Sequence, residues 1–218
     1  MKVSLVGASG LVGSQFLALA LESERITKVL SIGRRPLVLK NPKLEERLVD
    51  FEALIGNPAQ WGGDLGQLLV IALGSTLKKA GSREAFRRID HDYVVACARA
   101  AREQGVQRIL VITAIGADSH SRVFYNRIKG EVERDVIALR FVSTHFFRPS
   151  ILLGERSEPR PGERFALSVM PILSLALQGP LRRYRAVESG RVAESLLEAC
   201  FDSRSGVFFH ESEEFQSP

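Results

Sequence analysis

A glycine-rich turn between two apolar segments constrains the fold of this chain more than any other feature of its sequence. Residues 2–6 have the length and composition of a buried strand, and residues 11–22 have the pattern of an apolar helix. Residues 7–13, Gly-Ala-Ser-Gly-Leu-Val-Gly, connect the two. An ordinary turn with incidental glycines is the alternative, but a glycine pattern that follows a strand and opens a helix favours a dinucleotide-binding turn.

The glycines of this turn have separate physical roles. Gly7 permits a tight bend, Gly10 lets a phosphate approach the backbone, and Gly13 allows the helix to pack closely on the strand. Free N–H groups and the dipole at the start of the helix favour an anion there. The spacing is Gly-x-x-Gly-x-x-Gly rather than Gly-x-Gly-x-x-Gly. The residues that we expect to contact the cofactor here are Gly7, Ser9, Gly10, Leu11, Val12 and Gly13.

Strands and helices alternate along the chain, which predicts an α/β fold with a doubly wound parallel sheet. The predicted strands are 2–6, 28–32, 47–49, 68–73, 108–113, 142–147 and 206–210, and the predicted long helices are 11–22, 83–104, 125–139 and 189–201. A chain of 218 residues with 45% hydrophobic content can form one domain over 1–218. We expect residues 151–185 to contribute a small C-terminal lobe on the substrate side.

Two arginines stand where a dinucleotide-binding fold usually has an acid. The second predicted strand ends in Gly33-Arg34-Arg35. In an NAD site, a carboxylate about 20 residues past the glycines usually bonds the ribose 2′-hydroxyl. Guanidinium groups instead suit a 2′-phosphate. Arg34 and Arg35 therefore predict NADP as the cofactor, and the alternative is an exposed basic turn.

Tyr125 and Lys129 lie on the apolar face of another predicted helix. At about 100° per residue they share a narrow stripe with Val132 and Val136. A lysine on the core-facing side needs a polar partner, and a phenol near an ammonium has its anion favoured. Such a pair can exchange protons near neutral pH. The alternative is a partly buried tyrosine with a lysine that reaches solvent. The residues expected to face water are Asn126, Arg127, Glu133 and Arg134.

Together these motifs resemble the short-chain dehydrogenase/reductase superfamily, and more closely its atypical, extended-type members related to the Tat-interacting-protein oxidoreductase. The resemblance runs over nearly the whole chain and implies an NAD(P)-binding Rossmann fold. It rests on residues 7–13, Ile32-Gly33-Arg34-Arg35, Val49-Asp50-Phe51, Ala72-Leu73-Gly74-Ser75-Thr76, Lys79-Ala80-Gly81, Gly116-Ala117-Asp118, Tyr125 with Lys129-Gly130-Glu131-Val132-Glu133, and Phe147-Arg148-Pro149. Such a series in one order is more specific than any single motif.

The resemblance implies roles for residues that follow the predicted strands. Asp50, with Phe51 beside it, would lie near the adenine, and Pro149 would approach the nicotinamide. The residues that would line the cofactor's ribose are Leu73, Gly74 and Ser75.

The resemblance also implies a third catalytic residue. The superfamily places a serine about a dozen residues before the tyrosine to polarise the substrate carbonyl, and Thr113 stands in this place. Relatives have Ser-Ser where this chain has Thr113-Ala114. Asp90 stands where many members have an asparagine of a proton relay.

The leading interpretation is an NADPH-dependent oxidoreductase that reduces a small-molecule carbonyl by hydride transfer. Tyr125 would protonate the developing alkoxide, Lys129 would favour the Tyr125 anion and bond the nicotinamide ribose, and Thr113 would help to hold the oxygen. The rival interpretation is a non-catalytic, NADPH-binding regulator that acts through a protein partner. The intact Tyr125 and Lys129 favour the enzyme, whereas Ala114 and Asp90 favour the regulator.

Other kinds of partner are not expected. The net charge is +5, but the basic residues are scattered without interleaved aromatics, so we expect no nucleic acid. The histidines show no ligand spacing with one another or with cysteine, so we expect no metal. The apolar stretch 165–177 contains Pro171 and is too short to span a bilayer, so we expect no membrane partner.

Two cysteines and the N-terminus bear on the compartment. Cys97 and Cys200 fall inside helical patterns, which indicates buried thiols in a reducing compartment. With no signal peptide before the first strand, we expect a cytoplasmic protein. The helix predicted over 83–104 has a single apolar stripe, which is enough to dock it on its own sheet, so we expect a monomer.

Overall fold

A parallel β-sheet forms the centre of the protein, as the sequence predicts. The computed structural model describes residues 1–57, 61, 63–154 and 179–216. The strands are β1 (Lys2–Val6), β2 (Lys28–Gly33), β3 (Leu44–Leu48), β4 (Leu68–Ile71), β5 (Arg108–Ile112), β6 (Ser143–Arg148), β7 (Leu152–Leu153), β8 (Val187–Glu188) and β9 (Gly206–Glu211). Seven strands pair in the order β3-β2-β1-β4-β5-β6-β9. All pairings in this sheet are parallel, and β7 pairs with β8 separately.

Helices connect the strands and cover both faces of the sheet. The α-helices are α1 (Leu11–Glu22), α2 (Phe51–Gly56), α3 (Leu77–Ala80), α4 (Arg83–Arg87), α5 (Tyr93–Glu103), α6 (Phe124–Ala138) and α7 (Ser189–Ala199). A π-helical turn, Arg88–Asp92, joins α4 to α5. Short 3₁₀ segments lie at Gly179–Tyr184 and Ser212–Phe215. The sheet with helices on both faces confirms the doubly wound α/β prediction.

The hydrophobic core has one layer on each face of the sheet. On one face α2, α5 and α6 pack over residues such as Ile71 and Val111. On the other face α1 and α7 pack over residues such as Val70 and Leu110. β4 is buried along its entire length, as expected for a strand covered on both sides. Successive residues of one strand therefore pack into opposite core layers. These two layers hold in position the strand ends at which the candidate site lies.

Several boundaries differ from those predicted. The chain region 83–104 was predicted as one helix, but the π-turn divides it. The predicted third strand, 47–49, is observed earlier as Leu44–Leu48, and α2 begins three residues later at Phe51. Of the expected small lobe, 151–185, residues 155–178 lie outside the described part of the chain.

Both thiols are buried, as predicted. Cys97 and Cys200 are 0% exposed, and burial raises the pKa of the Cys200 thiol to about 12. Burial likewise raises the pKa of the Cys97 thiol. Thiols in this state are unreactive at neutral pH. Among the described residues, no helix is both long and apolar enough to cross a membrane.

Candidate cofactor and catalytic site

The predicted site residues meet at the carboxyl edge of the sheet. The glycine turn follows β1, Arg34 and Arg35 follow β2, and Asp50 comes two residues after β3. The loop from Leu73 to Ser75 follows β4 in the same way. Because β1 and β4 are neighbours while their connections leave in opposite directions, a crevice opens between their ends. Open α/β sheets bind ligands at such a reversal point.

The glycine turn has no space for side chains. Gly7 has φ +94°, and a Cβ there would lie 2.6 Å from the carbonyl carbon of Ala72. A Cβ on Gly13 would lie 2.1 Å from the Gly7 oxygen. Helix α1 can therefore sit directly on the turn only because both positions are glycine.

The start of α1 offers unpaired amide donors to a ligand. The first helical hydrogen bond runs from the Ser14 N–H to the Gly10 oxygen at 2.9 Å. The N–H groups of Leu11, Val12 and Gly13 consequently have no acceptor within the helix. Ser9 is exposed beside them. Amides and dipole together form the kind of cradle that holds a dinucleotide's phosphates.

Two arginines and an Asp-Phe pair lie at the next two strand ends. Arg34 and Arg35 are exposed, and within the described residues neither forms a hydrogen bond or ion pair. The Asp50 carboxylate accepts a hydrogen bond from the Glu52 N–H at 2.9 Å and so caps α2. Phe51 is buried and stacks on Tyr93, with ring centroids 5.3 Å apart. The guanidinium groups are thus available to an anion, while Asp50 has a structural role at the helix start.

Tyr125 and Lys129 lie one turn apart on α6, as the spacing predicts. Tyr125 is half-buried and its ring packs 5.6 Å from that of Phe86. The Lys129 Nζ atom lies 6.0 Å from the Tyr125 ring centroid. No described residue forms a hydrogen bond with the Tyr125 hydroxyl, which leaves it available to a substrate.

A glycine on α6 fixes the loop in front of the tyrosine. A Cβ on Gly130 would lie 2.2 Å from the backbone of Asp118 and Ser119. The Asp118 N–H also donates to the Asn126 carbonyl oxygen at 3.1 Å. The loop after β5 therefore rests directly on the helix that carries Tyr125.

Lys129 is buried and its partner is Asp90. The Nζ atom donates to Asp90 Oδ1 at 2.7 Å, and the Ser75 N–H donates to Asp90 Oδ2 at 2.8 Å. Burial alone would lower the pKa of Lys129, but the charge and hydrogen bond of Asp90, with the nearby charge of Glu133, outweigh it and the pKa is raised. Lys129 consequently remains an ammonium. Asp90 reaches it from the π-turn, a feature often found at functional sites.

Thr113 is buried at the end of β5, with its hydroxyl turned to a carboxylate. Thr113 Oγ1 donates to Glu133 Oε1 at 2.7 Å. Arg148 binds the same carboxylate with two donors, at 3.0 and 2.6 Å. Hydrogen bonds to Glu133 raise the pKa of Arg148 above its ordinary value. The structure thus places the Thr113 hydroxyl in an ionic network rather than beside Tyr125 in a hydrogen bond.

The expectation that Glu133 faces water is wrong, because the residue is only 5% exposed. Glu133 follows Lys129 by four residues and so borders the stripe that carries it. An acid at the edge of a core-facing stripe predicts a buried partner. This position of Glu133 in the sequence is the feature that could have indicated its hydrogen bonds with Thr113 and Arg148. Pro149, which follows Arg148, is buried and accepts a hydrogen bond from the Ile115 N–H at 3.0 Å.

Comparison with known proteins identifies relatives and a shared fold. The chain is 34% identical over 226 residues to "Protein FMP52, mitochondrial" of Eremothecium gossypii, covering 100% of this chain and 96% of that one. It is 39% identical over 168 residues to HTATIP2 of Rattus norvegicus, covering 75% and 68%. The Bordetella bronchiseptica enzyme WbmH, solved with NAD⁺, superposes with a TM-score of 0.70 at 17% identity, over 97% of this chain and 75% of that one. No protein-family model matches the chain.

These relatives correct one expectation. The prediction of a cytoplasmic protein is wrong, because several similar fungal proteins are named as mitochondrial. A reducing compartment, which the free cysteines indicate, does not distinguish the cytoplasm from other reducing compartments.

Proposed function

The chain belongs to the atypical short-chain dehydrogenases/reductases related to HTATIP2 and FMP52, and we propose that it is an NADPH-dependent oxidoreductase that reduces a carbonyl group. The observation that carries the proposal is the arrangement at the carboxyl edge of the sheet. The glycine turn and α1 follow β1, and α6 with Tyr125 and Lys129 follows β5, which is separated from β1 only by β4. The fold is that of solved structures with bound NAD.

The residues present fit a nicotinamide dinucleotide. The glycine cradle and the amides at the start of α1 would hold the pyrophosphate, and Arg34 with Arg35 would hold the 2′-phosphate of NADPH. Phe51 would lie by the adenine, with Asp50 fixing the start of α2. Residues of the loop after β4 and Pro149 would border the ribose and the nicotinamide. When bound, NADPH supplies the hydride.

Tyr125 is the proposed proton donor to the substrate oxygen. Its hydroxyl has no partner among the described residues, so it is free to donate to a carbonyl oxygen that gains negative charge. The Lys129 ammonium, 6.0 Å from the ring centroid, favours the phenolate that this transfer leaves. Lys129 also reaches the loop after β4 through Asp90, and this contact supports a role for Lys129 at the proposed ribose site.

Thr113 has a smaller proposed part. Its hydroxyl can help to hold the substrate oxygen only if it gives up its 2.7 Å bond to Glu133. A charge-assisted bond of that kind is worth about 1.5–3 kcal/mol. We therefore assign most of the oxygen's stabilisation to Tyr125.

The direct test is a screen of carbonyl compounds for NADPH oxidation at 340 nm, with aldehydes, ketones and keto-sugars as separate classes. The expected result is turnover with at least one class that is lost in Tyr125→Phe. An absence of turnover with every class would refute the proposed activity.

A second candidate is an NADPH-binding regulator without turnover, acting through a protein partner. One observation favours it: two of the three proposed catalytic side chains, Lys129 and Thr113, are already bound to carboxylates. This candidate predicts tight NADPH binding together with a negative screen. It also predicts that Tyr125→Phe leaves the cellular effect unchanged.

A further inference from the structure

The buried carboxylate of Asp90 forms an ion pair with Lys129, the lysine of the proposed catalytic pair. Asp90 is 1% exposed and Lys129 is 4% exposed, with 2.7 Å between Oδ1 and Nζ. Charges removed from water are costly unless they are paired, so each of these groups depends on the other.

The second oxygen of Asp90 also has a defined partner. Oδ2 accepts a hydrogen bond from the Ser75 N–H at 2.8 Å. A Cβ on Gly74 would lie 3.3 Å from Oδ1 and 3.8 Å from Lys129 Nζ, so the loop after β4 is in close contact with the ion pair. One carboxylate therefore connects three elements: the π-turn, α6 and the loop after β4.

We infer that Asp90 is a positioning residue that fixes Lys129 against the loop after β4, offsets part of its charge, and thereby limits how strongly Lys129 favours the Tyr125 anion. This role rests on the proposed function in taking Tyr125 as the proton donor. The ion pair itself is independent of that assignment.

The groups around Tyr125 and Lys129 support this role. Asp90 faces them from the π-turn and Glu133 faces Lys129 from the next turn of α6, while the neighbour from α4 is the apolar Phe86. Glu133 is bound by Arg148, which also binds Glu211. Asp90 is consequently the anion in direct contact with Lys129, and it offsets part of the ammonium's effect on the phenol.

Asp90→Asn removes the charge with little change in volume. The amide can oppose the Lys129 ammonium and the Ser75 N–H with only one acceptor oxygen, so one of the two hydrogen bonds is lost. The nearby Glu133 carboxylate still favours the Lys129 ammonium, which then acts on Tyr125 without the compensation of Asp90. An opposite charge within about 4–6 Å favours ionisation by one to three pH units. We expect the Tyr125 ionisation midpoint to fall by at least about one pH unit, or about tenfold more phenolate at a given pH.

Ultraviolet titration of phenolate absorbance measures this midpoint in the protein without cofactor or substrate. The chain has three tyrosines, and subtracting the same titration of Tyr125→Phe isolates the one of interest. Tyr93, hydrogen-bonded to Glu52, ionises separately, because burial and that bond raise its pKa to about 12. An unchanged midpoint in folded Asp90→Asn would overturn the inference.

Two further variants make the test specific. Asp92→Asn is the matched control, because Asp92 lies two residues away and binds Arg88 and His91 instead. It should leave the midpoint unchanged. In a Lys129→Met background the ammonium through which Asp90 acts is absent, so adding Asp90→Asn should change the midpoint little. A full shift in that background would show that Asp90 does not act through Lys129.

If Asp90→Asn fails to fold, a comparison of the stabilities of the single and double variants still tests the inference. In that case the cause would be a buried ammonium without its anion, and the double variant Asp90→Asn with Lys129→Met should recover the fold. A double variant as unstable as Asp90→Asn alone would contradict the pairing. Since none of these measurements needs turnover, a negative carbonyl screen would refute the proposed function without refuting the role of Asp90.

Discussion

Removal of both arginines after β2 tests the assignment of the cofactor. Arg34 and Arg35 are exposed and unpaired among the described residues, so their loss should cost the fold little. A hydrogen bond to a charged group contributes about 1.5–3 kcal/mol, and solvent exposure favours the lower value. Arg34→Ala with Arg35→Ala should therefore weaken NADPH binding by about 100-fold, at about tenfold per arginine. NADH binding should change by less than about twofold, because NADH has no 2′-phosphate.

Calorimetric titration with each cofactor measures both affinities. Lys40→Ala is the matched control, because Lys40 is an exposed cation of the same loop. The preference of the unaltered protein for NADPH should also shrink as salt is raised. Equal losses for NADPH and NADH, or no loss for NADPH, would refute the assignment of these arginines to the 2′-phosphate.

Three other changes have distinct expected outcomes. Gly13→Ala should lower the melting temperature and weaken NADPH binding, because its Cβ would lie 2.1 Å from the Gly7 oxygen. Gly56→Ala is the control and should be neutral, because a Cβ there has no atom within 4 Å. Burial and the nearby His210 lower the pKa of His145 from 6.5 to about 4. The free energy of unfolding should therefore fall as the pH drops below about 6.5, by at most about 3 kcal/mol near pH 4. Urea midpoints that stay constant over this pH range would contradict this prediction. Thr113→Val should slow turnover by less than about tenfold, and a loss as large as that of Tyr125→Phe would show that its hydroxyl leaves Glu133 during the reaction.

The sheet, and the edge of it at which the site residues lie, could be predicted from the sequence because the patterns that indicate them are local. The bounds of β1 and α1 agree with the prediction, since an apolar strand, a glycine turn and an apolar helix follow one another without ambiguity. The motif residues after successive strands meet because parallel strands end at one edge. Periodicity and strand order therefore sufficed to bring the glycine turn, the arginines and Tyr125 to one side.

The buried ion pairs of the site could not be predicted in the same way. The π-turn at Arg88–Asp92 carries no composition that separates it from an ordinary helix, so the pairing of Asp90 with Lys129 could not be predicted. Glu133 did carry a signal through its spacing from Lys129, but Arg148 comes from a different strand. Contacts between elements distant in sequence depend on packing, which one sequence does not display.

The most direct test of the central claim is the turnover of Tyr125→Phe with a carbonyl substrate found by screening. General acid catalysis contributes about 10²–10⁴-fold in rate. The variant keeps the ring that packs on Phe86 and deletes only the hydroxyl, so the fold and NADPH affinity should persist while turnover falls by at least about 100-fold. Turnover in Tyr125→Phe equal to that of the unaltered protein would contradict the proposed mechanism.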